Sequence, residues 1–277
     1  MADEINSSNC NHDCSSCQAS CGERKIEKAP MNALSNVKKV IAVMSGKGGV
    51  GKSLTTALLA VNARRAGKNV AILDADVTGP SIPTVFGIEG MAEGDGQNIY
   101  PLLSKTGIKV MSLNLLLEDR SDPVIWRGPV VAGLIEQFWS DCAYGDIDEL
   151  YVDMPPGTSD VPLTVFQKLP VDAAVVVTSP QELVSQIVEK AVKMASMMDI
   201  KVLGVVENMS FLPCPHCGER IYPFGEPSSE VASAFGIPVY ECLPLDPKLA
   251  SLCDSGDIES HEGELLTALS EAISALR

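Results

Sequence analysis

The chain has 277 residues and a mass of 29.4 kDa, with 45% hydrophobic and 21% charged residues; this suits one large or two small globular domains and excludes a disordered, collagen-like or coiled-coil chain. The formal net charge is −15, from 21 basic and 36 acidic residues, which argues against a nucleic-acid binder with its basic stripe. No apolar run approaches the roughly 18 residues of a membrane span, and the polar, acidic start MADEINSSNCNHD lacks a secretory pattern, so a soluble, cytoplasmic protein with no membrane or nucleic-acid partner is expected.

Residues 1–35 show almost no hydrophobic periodicity and end in the charged stretch GERKIEKAP; they read as a flexible, Cys-rich tail that a metal could order. The globular domain is expected over 36–277. A strand over 37–45 runs into a glycine-rich loop, and a helix follows over Lys52–Arg65, with Leu54, Leu58 and Val61 on one face. Strands are expected over 69–76, 107–114, 148–154, 172–179 and 202–209. Helices are expected over 130–139, 183–198 and 262–276. The methionines of the 183–198 helix read as core filler. The apolar strands are continuous rather than alternating, which suits a parallel sheet covered on both faces. The expected fold is a single doubly wound α/β domain with ligands at the C-terminal ends of its strands.

The loop after the first strand, GKGGVGKS, matches G-x-x-x-x-G-K-S between a strand and a helix. Its members are Gly46, Lys47, Gly48, Gly49, Val50, Gly51, Lys52 and Ser53. Such a loop turns backbone N–H groups onto phosphate oxygens, and the helix N-terminus adds partial positive charge. Lys52 is placed to hold the β- and γ-phosphates of ATP, and Ser53 to ligate Mg²⁺. With Lys47 directly after the first glycine, the loop resembles the deviant Walker A loop of the MinD/ParA/nitrogenase-reductase class. That resemblance implies that Lys47 reaches across a dimer to the partner's nucleotide. It also implies that Asp76 orients the attacking water, with Asp74 as the alternative. Asp153, in YVDMPPGT, ends a hydrophobic strand where it can hold magnesium through water, and Gly157 can follow the γ-phosphate. Asn208 resembles the adenine-reading residue of the class.

Nine cysteines occur, and six of them cluster. Cys214 and Cys217 form a C-x-x-C after a strand, two thiolates where a cubane cluster or zinc usually takes four ligands. A two-fold dimer would supply the other pair; His216, Cys242 and Cys253 are local alternatives. Cys10, Cys14, Cys17 and Cys21 lie within twelve residues and can wrap one cluster or one zinc ion.

The blocks KGGVGKS, DADVTGPSIP, WRGP, DMPPGTSD, ENMS and CPHCG occur in the order seen in the Mrp/ApbC family of iron–sulfur carrier ATPases. The resemblance covers residues 37–277. It implies a cytosolic homodimer that binds ATP, hydrolyses it slowly, carries a [4Fe–4S] cluster between paired Cys214 and Cys217, and passes it to apo-proteins. The tail spacing C-x3-C-x2-C-x3-C is more compact than that of the four-cysteine branch of the family. The rival reading is a MinD/ParA-like positioning switch that needs no metal. It calls for a membrane-binding C-terminus or a basic DNA-binding face, whereas the last segment, HEGELLTALSEAISALR, is amphipathic but acidic. A nitrogenase-like electron donor fits less well, because its two cluster ligands come from separate loops.

Overall fold

A computed structural model describes residues 28–76, 79–117, 128–157, 160–180 and 184–276. The four tail cysteines, Trp126 and Arg127 of the WRGP block, and the first residue of the 183–198 helix lie outside the described residues.

The expected first strand is two strands, β1 (Ser35–Val37) and β2 (Val40–Ser45). Lys38 and Lys39 separate them, since neither ammonium belongs in a fully buried strand. Lys38 pairs with Asp148 at 2.8 Å, and Lys39 Nζ donates to the carbonyls of Ile273 and Ser274. Helix α1 (Lys52–Arg65) has the expected bounds. Then come β3 (Val70–Asp74), α2 (Ile82–Val85), β4 (Leu102–Leu103), β5 (Lys109–Ser112), α3 (Gly128–Ser140), β6 (Gly145–Ile147), β7 (Glu149–Asp153) and α4 (Asp160–Lys168). The chain closes with β8 (Ala173–Thr178), α5 (Val184–Met197), β9 (Lys201–Pro213), β10 (Arg220–Ile221), α6 (Glu230–Ala234), β11 (Val239–Pro244), α7 (Pro247–Asp254) and α8 (Thr267–Ser274).

The main sheet runs β10-β9-β8-β2-β7-β3-β5-β4, with β11 also on β9, while β1 and β6 form a separate parallel pair. Among the described residues of the main sheet, β4–β5 and β10–β9 pair antiparallel and the other named pairs are parallel. β2 explains the continuous apolar runs. Its Val40, Ala42 and Met44 enter one core, shared with α3, α4 and α5, and Ile41 and Val43 enter the other, shared with α1 and α8. A strand buried on both faces has no polar side to alternate with.

Four expectations need correction. Residues 28–35, assigned to the tail, already pack on the domain: Ala29 is buried, its N–H bonds to the Lys168 carbonyl, and Trp139 Nε1 donates to its carbonyl at 3.1 Å. α1 is buried nearly all round rather than on one face, because the C-terminal segment covers its outer side through Asn62, which donates to the Leu265 carbonyl at 2.7 Å. The last helix starts at Thr267, after Leu266 adopts φ 60°. Of the α5 methionines, Met194 is core filler, whereas Met197 is 84% exposed. Among the described residues no helix is long and apolar enough to cross a membrane.

Candidate functional site

β2 delivers the chain into the loop 46–51, and α1 begins at Lys52. The turn needs glycine at Gly51, the residue before the helix, which sits at φ 84°. A Cβ there would stand 2.0 Å from Asn208 Nδ2. Ser45 Oγ donates to the Lys47 carbonyl at 2.9 Å and pins the loop's base. A cleft of about 240 Å³ opens over the loop, bounded by residues 48–54, Asp76, Gly79 and Pro156.

At the foot of this cleft polar groups converge on Asp153, which is fully buried at the end of β7. Lys52 Nζ lies 2.8 Å from Asp153 Oδ1 and 3.7 Å from Asp76 Oδ2. Ser53 Oγ donates to Asp153 Oδ2 at 2.6 Å, and Thr56 Oγ1 to Asp153 Oδ1 at 2.8 Å. The phosphate-loop lysine is thus held by a buried carboxylate. Ser53, Asp153 and Asp76 form a hard oxygen set of the kind Mg²⁺ takes beside phosphates, so the residues fit that ion.

The D-x-D pattern favours Asp76 over Asp74, and the two carboxylates have different surroundings. Asp76 borders the cleft. Asp74 is fully buried, and its carboxylate accepts from Asp76 N at 3.2 Å, Ile82 N at 3.3 Å and Ser112 Oγ at 3.1 Å. Burial pushes the Asp74 carboxyl up to about 8, and the Asp153 charge adds to the rise. Gly157 stands at φ 87°, with its N–H bonded to the Ser45 carbonyl at 2.8 Å. Asn208 is buried and donates its Nδ2 to the Val50 carbonyl at 3.0 Å, so it touches the phosphate loop itself.

The second cluster of chemistry lies at the end of β9. β10 folds back antiparallel, Arg220 opposite Pro213, and the turn between them carries Cys214-Pro-His-Cys217. Cys214 N bonds to the Glu219 carbonyl at 2.8 Å, Gly218 N bonds to the Cys214 carbonyl at 2.9 Å, and Gly218 takes φ 75°. Backbone N–H groups of Cys217 and His216 pull the Cys214 thiol below its ordinary value. Cys217 is exposed and Cys214 half-buried. The Arg220 guanidinium stacks 4.3 Å over the Phe211 ring and braces the hairpin.

The other cysteines do not join this pair. Cys142 is buried, and burial pushes its thiol up to about 12. Cys242 sits opposite Glu207 in β11, on the far side of the 207–211 bulge from Cys214. Among the described residues no three His, Cys, Asp or Glu side chains gather as a metal set, so neither His216 nor Cys253 completes the knuckle.

Two features were not read from the sequence. Thr56 falls four residues after Lys52, one turn along the same helix face, and that spacing could have pointed to it. The ENMS block turns out to be a bulge. Glu207 pairs with Cys242 but Phe211 with Pro244, so four steps on β9 oppose two on β11. Met209 takes φ 58° inside it. The Glu207 carboxylate anchors it, accepting from Ser210 Oγ at 2.8 Å and Tyr240 OH at 2.6 Å.

Known proteins resemble this arrangement. The ParA-type family described as NUBPL iron-transfer P-loop NTPase matches residues 36–276. A Clostridium perfringens protein named iron-sulfur cluster carrier protein is 44% identical over 238 residues, covering 83% of this chain and 84% of its own. A nucleotide-binding protein of Archaeoglobus fulgidus, solved in complex with ADP, is 46% identical with a TM-score of 0.74, covering 82% of this chain and 90% of that one. The cell-division ATPase MinD of Pyrococcus furiosus shares the fold, with a TM-score of 0.61 at 18% identity over 86% of this chain and 99% of its own.

Proposed function

The chain belongs to the NUBPL iron-transfer P-loop NTPase family, and from that premise we propose that it is an ATP-dependent iron–sulfur cluster carrier. The observation that carries this reading is the pairing of a phosphate loop closed on Asp153 with a two-thiol knuckle, Cys217 exposed and Cys214 half-buried, at the end of a strand of the same sheet. The Clostridium relative bears the carrier name, and the Archaeoglobus relative was solved with ADP. The positioning-switch reading has the Lys47 loop and a fold likeness at 18% identity behind it, and a paired-thiol hairpin has no part in it.

In the proposed mechanism the triphosphate enters the cleft and competes with Asp153 for Lys52. The lysine turns to the β- and γ-phosphates, and the loop amides and the α1 N-terminus take the remaining charge. Mg²⁺, held by Ser53 with Asp76 and Asp153, would supply charge neutralisation between the phosphates. Asp76 borders the cleft and orients the attacking water. Lys47 reaches the nucleotide of a partner copy, as in the deviant Walker A class. The cargo is a [4Fe–4S] cluster held by Cys214 and Cys217 of two copies, with apo iron–sulfur proteins as recipients and the cytoplasm as the site of work. The tail cysteines Cys10, Cys14, Cys17 and Cys21 offer a second four-thiol set for a cluster or zinc.

The test is anaerobic reconstitution of the full chain with iron and sulfide. An apo iron–sulfur enzyme is then added with and without Mg·ATP. The reading expects a cluster chromophore, and recovery of the recipient that depends on ATP. A protein that hydrolyses ATP yet takes up no iron would return it to the switch class.

A further inference from the structure

We propose that Asn208 is a positioning residue that couples nucleotide occupancy of the phosphate loop to the Cys214–Cys217 knuckle. The inference rests on the preceding assignment of nucleotide to residues 46–53 and cargo to the knuckle, and it adds the route between them.

One end of the route is fixed to the loop. Asn208 is only 3% exposed, and its Nδ2 donates to the Val50 carbonyl. The next residue, Gly51, opens α1 and leaves no room for a side chain beside that amide. Val50 and Asn208 are both buried, so breaking the bond when the loop shifts carries a desolvation cost. Phosphate binding acts on this same turn, because Gly51 and Lys52 are where the helix N-terminus and the lysine meet the nucleotide. A change in the loop therefore either carries Asn208 with it or breaks a buried hydrogen bond.

The other end is the knuckle, six residues further along β9. Pairing of β9 with β8 stops at Glu207, directly before Asn208. Beyond that point the strand is bulged, with Met209 at φ 58°, and rejoins β11 at Phe211 opposite Pro244. The Leu245 N–H also bonds to the Phe211 carbonyl at 2.7 Å. The stretch 208–213 has thus parted from β8 and is carried by its edge pairings, Phe211 with β11 and Leu212 and Pro213 with β10, beyond the bulge. The Glu207 anchor through Ser210 and Tyr240 holds the bulge. Arg220 over Phe211 ties the hairpin to this stretch, so movement at Asn208 reaches the thiols as a unit.

This role differs from reading adenine. A base reader sets how well the nucleotide binds. A coupler sets what binding does at the thiols once the site is full.

The experiment follows alkylation of Cys214 and Cys217 by mass spectrometry in the reduced, cluster-free full chain. It compares no nucleotide, Mg·ADP and a non-hydrolysable Mg·ATP analogue, each at concentrations that saturate the variant in use. In the unaltered protein, occupancy should change the alkylation rate of Cys217 by about two- to tenfold, the range set by one net hydrogen bond. In Asn208→Ala the rate should be the same with and without nucleotide. Asn208→Asp is nearly isosteric and sets a carboxylate against the Val50 carbonyl; it should lose the response too. Tyr240→Phe, which loosens the bulge, should reduce it. A full response in saturated Asn208→Ala and Asn208→Asp would overturn the proposal, as would a response absent from the unaltered protein while nucleotide is bound. Variants that take up no nucleotide at any concentration would make Asn208 a binding residue and overturn its coupling role. Failure of the unaltered chain to bind nucleotide would instead defeat the assignment of the phosphate loop.

Discussion

Ser53 and Asp153, a hundred residues apart in the chain, meet through a 2.6 Å hydrogen bond that ties the start of α1 to the end of β7. Ser53, Thr56 and Lys52 all turn toward one buried carboxylate, so the first turn of α1 is tied to the end of β7 by two hydrogen bonds and an ion pair. Under the proposed function, the triphosphate and Asp153 compete for Lys52, and the residues around Asp153 set how strongly.

Thr56 is the member of this set with no expected contact to nucleotide. Thr56→Val keeps the shape and removes one donor from a fully buried carboxylate, which should cost about 1–3 kcal/mol. Denaturant unfolding should show that loss, Thr56→Ser should recover most of it, and ATP turnover should fall as Asp153 loses its fixed orientation. Unchanged stability in the valine variant would mean that Asp153 does not depend on this hydroxyl.

Lys52→Ala should abolish ATP hydrolysis. It should also weaken the nucleotide-free fold by about 3–5 kcal/mol, because it leaves the Asp153 charge buried without its cation. Circular dichroism and thermal melts separate the two effects. Hydrolysis at the unaltered rate would remove Lys52 from the mechanism. Asp76→Asn should still bind ATP and lose turnover; equal turnover would move the water-orienting role elsewhere.

The sequence revealed those features that chain-local chemistry dictates. The glycines and Lys52-Ser53 mark the loop, and the bounds of α1 follow from them. The central strands were readable because burial on both faces erases alternation. What escaped was set by distant partners. β4 and β10 are two-residue edge pairings with half-buried or exposed side chains, so no hydrophobic pattern marks them. The strand expected over 202–209 runs on to Pro213 through a bulge, which the sequence did not show because a bulge depends on the register of β11 and not on the four letters ENMS. Thr56 looked like any helix-interior threonine until Asp153 arrived from β7. The D-x-D pattern favoured Asp76 over Asp74, but the bonds that Ile82 and Ser112 make to the Asp74 carboxylate come from distant partners and were not legible in it.

That packing gives Asp74 a pH signature. Its carboxyl rises from 3.8 to about 8, chiefly through burial and then through Asp153. Between those values the folded chain keeps a proton that the unfolded chain has lost. The contribution to stability is therefore full below 3.8 and disappears as pH climbs toward 8. Asp74→Asn is neutral at every pH. Its amide meets an N–H or O–H donor at a fixed penalty, but the decline across that window should vanish. Guanidinium unfolding at a series of pH values checks the slope, and parallel curves for the two proteins would remove Asp74 as its source.

The knuckle sets the last expectation, which concerns how many chains hold one cluster. Cys214 and Cys217 are two thiols, a cubane cluster takes four, and the described residues bring no third ligand to the pair. Cys242, the nearest alternative along the sheet, is held opposite Glu207 by the β9–β11 register, and the bulge lies between it and the hairpin. Changing Cys10, Cys14, Cys17 and Cys21 to Ser removes the tail's own ligand set from the count. That variant, reconstituted anaerobically, should hold about four irons per two chains, the count for one shared cubane. It should migrate as a dimer that falls apart on chelation. Adding Cys214→Ala and Cys217→Ala should remove the iron and weaken the dimer. Four irons per single chain would require two further ligands from within that chain, and β9 would have to leave its register with β11 to supply Cys242. Iron content and light scattering on the same sample therefore decide between a cluster shared across a two-fold axis and one enclosed by a rearranged monomer.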